Sequence, residues 1–134
     1  MRVAVISAPA SRQAPPDYVQ SLAKGIESMG HSVEVLDAWT DDGHRLPGFE
    51  YIVCCSGQTG IFGGKLPECL GNMLGTVTLE GKKGAAFLKK NSPFSGKAMA
   101  NLMRLMEKQG MFVNWSEILL SPTQAEAIGK RIGS

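Results

Sequence analysis

The chain has 134 residues, a formal net charge of +2 and 43% hydrophobic residues. This length favours one domain, residues 1–134, which can bury a core without a disulfide or a metal. The mild charge favours neither a nucleic-acid-binding surface nor an acidic docking surface. No apolar run approaches a membrane span, and we expect the apolar start of the chain to be too short for a signal peptide. Three cysteines, two of them adjacent, favour the reducing cytoplasm over a disulfide framework.

The first part of the chain predicts two strands joined by a helix. Val3 to Ile6 is a short, continuously apolar run, which is typical of a strand buried on both faces. Residues 7–16 are expected to form a loop. Apolar residues then recur at helical spacing from Tyr18 to Met29, and Gly30 is suited to end that helix. A second strand is predicted at residues 32–36.

The middle of the chain continues the alternation of strand and helix, with one gap. Residues 39–48 predict only an exposed connection where a longer α/β protein would have a helix. The third strand is predicted at Tyr51 to Cys55, and Pro67 is suited to the first turn of the helix that follows its loop. A fourth strand is predicted at residues 84–88, followed by a loop and a helix that stops at Gly110.

The last part of the chain predicts a fifth strand and a closing helix. Phe112 to Leu120 has the composition of a strand, which we expect to be interrupted near residues 114–117. Ser121, Pro122 and Gln124 form a capping box with proline at the first helical position. Five strands, with helices after the first, third, fourth and fifth, predict an α/β fold with three layers. Its parallel sheet would be doubly wound, with helices on both faces.

The stretch with most functional content is YIVCCSGQTGIFGGKLPECL, residues 51–70. Its strand leads into a loop of small and polar residues that contains four glycines. Glycine lets the backbone approach a flat ligand closely. Open α/β sheets place their ligands where such loops follow the strands. An ordinary turn without a ligand fits the same residues.

Together with the segments MRVAVISAPAS, KKGAAFLKKNSPFSGKA and GMFVNWSEILLSPTQAEAIGKRI, this stretch resembles the flavodoxin-like family. The resemblance covers nearly the whole chain. It implies the strand order 2-1-3-4-5 and a site for flavin mononucleotide (FMN) at the carboxyl ends of strands one, three and four.

The resemblance also implies which residues contact the cofactor. The first loop would hold the phosphate, and the loops after strands three and four would contact the isoalloxazine ring, with Phe62 covering it. The cofactor-binding residues expected on this basis are Ser7, Ser11, Arg12, Ser56, Gly57, Gln58, Thr59, Gly60, Phe62, Asn91, Ser92 and Phe94. We expect no catalytic residue and no metal site, because the two histidines are isolated and no C-x-x-C spacing occurs.

Three functions remain open. The leading one is FMN-dependent electron transfer, or reduction of a partner or small acceptor, with a redox partner protein. The first loop, however, has no glycine and contains Pro9, Pro15 and Pro16, which have no N–H to donate to a phosphate. A second function is therefore a flavodoxin-like domain without flavin that acts as a protein-binding or regulatory module. A third is an enzyme with another nucleotide or phosphate ligand, for which the sequence offers no catalytic residue. Neither nucleic acid nor a membrane is expected as a partner.

Overall fold

The computed structural model describes residues 1–59, 64–90 and 95–132, which contain five strands and four α-helices. A single turn of 3-10 helix, Leu46–Gly48, occupies the connection where no full helix was predicted. The strands are β1 (Arg2–Ala8), β2 (Ser32–Asp37), β3 (Tyr51–Ser56), β4 (Lys83–Lys89) and β5 (Phe112–Leu119). The helices are α1 (Asp17–Ser28), α2 (Glu68–Gly75), α3 (Ser95–Lys108) and α4 (Pro122–Arg131).

The five strands form one parallel sheet in the order β2-β1-β3-β4-β5. This confirms the strand order and the doubly wound architecture that the resemblance implies. Parallel neighbours need a crossover connection, and α-helices supply most of these crossovers. The carboxyl ends of all five strands therefore lie along one edge of the sheet.

The core has two layers because successive side chains of a strand point to opposite faces of the sheet. On one face, Val5, Val53 and Phe87 pack beneath α1 and α4. On the other face, Ile52 and Leu88 pack with α2 and α3. All five side chains are fully buried, and each contributes roughly 1.5–3 kcal/mol of hydrophobic stabilisation. The strands are apolar on both faces, as expected of a covered parallel sheet.

Strand β5 differs from the prediction in one respect. It is not interrupted over several residues but carries one extra residue, Asn114, because Gly84 pairs with Val113 and Ala85 with Trp115. A Cβ on Gly84 would lie 2.2 Å from the carbonyl oxygen of Ile52, so the strand requires glycine at this irregularity. Asn114 Oδ1 accepts a hydrogen bond from the hydroxyl of Tyr51 at 2.5 Å. A polar contact to β3 thus holds the extra residue in place.

The ends of the helices follow the local signals in the sequence. Gly30 and Gly110 adopt φ values of +89° and +84° just after α1 and α3, as predicted for residues that end a helix. Ser121 Oγ accepts a hydrogen bond from Gln124 N, and Gln124 Oε1 accepts one from Leu120 N. Ser121 is therefore confirmed as the N-cap of α4, whereas the hydrogen bond that Gln124 returns goes to the residue before the cap and not to Ser121 N. Within the described part of the chain, none of the helices has both the length and the apolar character needed to cross a bilayer.

Candidate functional site

The candidate site lies at the carboxyl edge of the sheet, where the ends of β1, β3, β4 and β5 are level. Ala8 pairs with Ser56, Ser56 with Leu88, and Leu88 with Ile118. The loop after β1 (residues 9–16, the first loop) therefore starts directly beside the loop after β3. Both β1 and β3 are longer than predicted, so Ser7 and Ser56 belong to strands rather than to loops.

The first loop is fixed by contacts at both of its ends. Trp39 Nε1 donates a hydrogen bond to the carbonyl oxygen of Pro9 at 3.0 Å, and Gln20 Nε2 donates one to that of Pro15 at 2.8 Å. The start of the loop lies against β3, since a Cβ on Gly57 would be 2.7 Å from Ala10 N. Gly57 is therefore required for the close approach of two backbone segments, whatever ligand the site takes.

The prolines of the first loop flank its hydrogen-bond donors rather than interrupting them. Residues 10–14 have five consecutive N–H groups, and none of these donates to a partner within the described residues. No non-glycine residue of the described chain has a positive φ. The first loop therefore does not form an anion-binding nest, which alternates right- and left-handed residues. Its N–H groups can donate hydrogen bonds to an anion, but the backbone does not already direct them towards one point.

Five of the predicted residues, which lie in β1, in the first loop and at or just after the end of β3, differ widely in exposure. Ser11 and Arg12 are exposed, whereas Ser7, Ser56 and Gln58 are at most 1% exposed. Ser56 Oγ donates a hydrogen bond to the carbonyl oxygen of Gly57 at 2.9 Å. Ser7 Oγ is buried and has no hydrogen-bond partner in the described part of the chain. Of these five residues, Ser11 and Arg12 present their side chains to solvent.

Hydrogen bonds hold the loop after β3 on both sides of residues 60–63, which lie outside the described ranges. Thr59 N donates a hydrogen bond to the carbonyl oxygen of Lys65 at 2.9 Å, and Asn101 Nδ2 donates one to that of Gly64 at 2.9 Å. Gly64 has φ +69°, and a Cβ there would lie 2.8 Å from Ala98 N at the start of α3. The remaining predicted residues lie outside the described ranges, so their contacts stay predictions: Gly60, Phe62, Asn91, Ser92 and Phe94.

A cavity of about 160 Å³ separates the first loop from the ends of β3 and β4. It lies on the face of the sheet that α1 and α4 cover. Its lining residues are Pro9, Ala10, Gln13, Pro16, Tyr18, Gly57 and Lys89. Lys89 was not among the predicted site residues, although strand alternation from Ala85 and Phe87 places it on this face. Because it ends β4, its charge stands at the mouth of the cavity.

The cysteines of β3 contribute no reactive thiol to this edge. Burial raises the pKa of Cys54 to about 12, and burial together with the charge of Cys54 raises that of Cys55 well above its usual range. Both side chains are fully buried. Thiolate is the nucleophilic form, so both residues act as small apolar side chains of the core.

Comparison with known proteins identifies the fold. No protein-family model and no curated protein sequence matches the chain. Among solved structures it is similar to oxidised flavodoxin 1 from Bacillus cereus, with 19% identity and a TM-score of 0.75 over 96% of this chain and 95% of that one. It is also similar to a flavodoxin from the domain Archaea, with 21% identity and a TM-score of 0.74 over 98% and 96%. Two-electron reduced Megasphaera elsdenii flavodoxin matches with 15% identity and a TM-score of 0.71 over 96% of both chains. The chain therefore has the flavodoxin-like fold.

Proposed function

We propose that this chain binds FMN at the carboxyl edge of its sheet and transfers electrons to or from a partner protein. The observation that carries the proposal is the cavity of about 160 Å³ between the first loop, Gly57 and Lys89, at the ends of strands β1, β3 and β4. The resemblance to the flavodoxin-like family implies that FMN binds at this edge of the sheet. Two similar proteins are described in different redox states, one oxidised and one two-electron reduced, which supports a redox role.

The donors at the cavity fit the phosphate end of FMN. Lys89 lines the cavity together with Ala10 and Gln13 of the first loop. The N–H groups of residues 10–14 and the exposed cation of Arg12 belong to the same loop, and both kinds of group bind a phosphate. Asp17 lies in the first turn of α1 and opposes an anion at that helix end. The positive groups therefore come from the first loop and β4, and the start of α1 contributes little.

In this proposal FMN, when bound, supplies one- and two-electron redox chemistry. The chain holds and orients it. Arg12 and the first-loop N–H groups bind its phosphate, and the close contact between Gly57 and Ala10 keeps that loop over the end of β3. Thr59 lies at the loop that would contact the ring, and the predicted ring contacts of Gly60, Phe62, Asn91, Ser92 and Phe94 belong to the same proposal.

A second function, a flavin-free module that binds a partner protein, is favoured by two observations. The first loop lacks the left-handed residues of an anion-binding nest, and Asp17 follows it. Such a loop would bind a phosphate less tightly than a nest, because its N–H groups would have to be brought together on binding. The two functions differ in whether the isolated protein retains flavin.

The test is the visible absorption spectrum of the purified protein before and after incubation with FMN and desalting. We expect flavin bands that survive desalting and are shifted relative to free FMN. Gly57→Ala should weaken retention, because its Cβ would push Ala10 away, while Gly71→Ala in α2 places its Cβ at an ordinary 3.7 Å from Leu105. A colourless wild-type protein would reject FMN binding and favour the flavin-free module. Bound flavin that cannot be reversibly reduced would reject electron transfer.

A further inference from the structure

Lys89 lies on a continuous groove that extends beyond the cavity described above. A second cavity of about 310 Å³ shares Gln13, Pro16, Tyr18 and Lys89 with the first and continues to the end of β5 and the start of α4. The pairing of Lys89 with Leu119 places both side chains on the α1/α4 face. Lys89 is thus the strand residue common to the two cavities.

The charge of Lys89 is not neutralised by a carboxylate within the described chain. The ion pairs there involve other residues. The contact of its Nζ is with the ring of Tyr18, whose centroid lies 5.6 Å away. Burial raises the pKa of Tyr18, so its phenol stays neutral and cannot act as a counter-ion. A cation over an aromatic face keeps its N–H donors available for a further partner.

The other charged residue of the groove is Asp17, which lines the larger cavity and is exposed. The smaller cavity has no acidic residue in its lining. An anion would therefore be favoured near Lys89 on the first-loop side. There Ala10 and Gln13 line the cavity, and their N–H groups donate to no partner within the described residues. Lys89 and these two loop residues line the same cavity.

We infer that Lys89 binds the phosphate group of the ligand and thereby replaces the converging backbone nest that the first loop lacks. This inference rests on the proposed function and assigns its phosphate specificity to one side chain of β4. An ammonium group binds phosphate as a point charge, and a charge-assisted hydrogen bond is about twice as strong as a neutral one. The ligand class is a phosphate monoester, as distinct from the same molecule without its phosphate.

The experiment compares FMN with riboflavin, which lacks the phosphate, in wild type and Lys89→Gln by fluorescence quenching at fixed ionic strength. We expect the variant to weaken FMN binding by about tenfold or more, with riboflavin binding unchanged. Lys89→Arg should restore most of the FMN affinity because it keeps the charge. Lys83→Gln is the matched control, since it removes the same charge from the other end of β4, about 20 Å away. Circular dichroism and melting curves verify that each variant is folded.

The outcomes separate this inference from the proposed function. If wild type binds FMN but Lys89→Gln weakens FMN and riboflavin equally, the role of Lys89 is rejected and the flavin proposal stands. If wild type binds neither flavin, the flavin proposal fails. Titration with inorganic phosphate, followed by amide NMR shifts, then decides the role of Lys89. Shifts in residues 10–14 that disappear in Lys89→Gln would support it, and the absence of such shifts would overturn it.

Discussion

Gly25 of α1 and Gly129 of α4 bring two helix backbones into direct contact. A Cβ on either glycine would lie 3.1 Å from the Cα of the other. It would also lie 2.2 Å from the carbonyl oxygen of Glu126 or 2.3 Å from that of Leu22. A side chain therefore cannot be added at either position unless the helices move apart. The two helices that cover one face of the sheet are in this way fixed to each other.

Gly25→Ala should lower the free energy of unfolding by about 1–3 kcal/mol, because the new methyl group meets backbone rather than a flexible side chain. Gly129→Ala should have a similar effect. Gly71→Ala in α2 is the control, since its Cβ would lie at an ordinary contact distance from Leu105; there the better helix propensity of alanine should leave stability equal or higher. Urea unfolding measures all three variants. Equal stabilities for the three would contradict the close contact.

Ser7 and Ser56 form a second matched pair, since both are buried at strand ends and only Ser56 has a hydrogen-bond partner in the described chain. Ser7→Ala should raise the free energy of unfolding by about 1 kcal/mol, because it removes an unpaired buried hydroxyl. Ser56→Ala should lower it by a similar amount, because the carbonyl of Gly57 loses its donor. Ser7→Ala should leave FMN affinity unchanged. Weaker FMN binding in that variant would instead place Ser7 Oγ in contact with the ligand.

Trp39→Phe should loosen the first loop. The substitution removes the indole N–H that donates to the carbonyl oxygen of Pro9 at 3.0 Å but keeps an aromatic ring. Arg12 is exposed in that loop, so limited digestion with trypsin should cut after Arg12 faster in the variant than in wild type. Trp115→Phe, at the opposite edge of the sheet, should not change this rate. An unchanged cleavage rate in Trp39→Phe would show that the hydrogen bond does not hold the loop.

The stability of the protein should decline in alkaline solution. Burial raises the pKa of Cys54 from 9.0 to about 12 and that of Tyr51 from 10.0 to about 12. The folded protein retains these protons while the unfolded chain loses them, so unfolding is favoured once pH exceeds 9. The stabilisation is complete below pH 9 and is lost as pH rises towards 12, by up to about 1.4 kcal/mol per pH unit for each group.

Urea unfolding of wild type and Cys54→Ala between pH 8 and pH 11 tests this decline. At pH 8 the variant should be less stable because it leaves a small cavity, but above pH 9 its stability should fall less steeply than that of wild type. Parallel curves would show that Cys54 does not contribute to the alkaline loss. The comparison of slopes is independent of the cost of the cavity.

The sequence predicts features that depend on local chemistry. The helix ends at Gly30 and Gly110 and the cap at Ser121 follow from the residues themselves, because each needs one special conformation or one short-range hydrogen bond. The order of the strands is a matter of long-range pairing, and it came from the resemblance to a family. The contact between Gly25 and Gly129 has no local signal, since a glycine within a helical pattern fits many environments.

The candidate site was predicted less completely than the fold. Ser7 and Ser56 were expected in loops, but β1 and β3 each continue past the predicted end of the apolar run, which buries both hydroxyls. Lys89 was expected at the start of a loop and is instead the last residue of β4. A strand end shifted by one or two residues decides whether a side chain faces the core or a cavity. Short apolar runs do not fix that boundary.

Asn114 determines the surroundings of every residue that follows it in β5. Because the strand contains one residue more than its partner there, Trp115 and Leu119 point towards α1 and α4 and Ile118 points away. A one-residue change of register would exchange the two sets. If Asn114 were paired regularly with Ala85 instead of being the extra residue, Ile118 would turn towards the α1/α4 face and Leu119 away from the groove. The wall of the groove next to Lys89 thus depends on a residue near the opposite end of the strand.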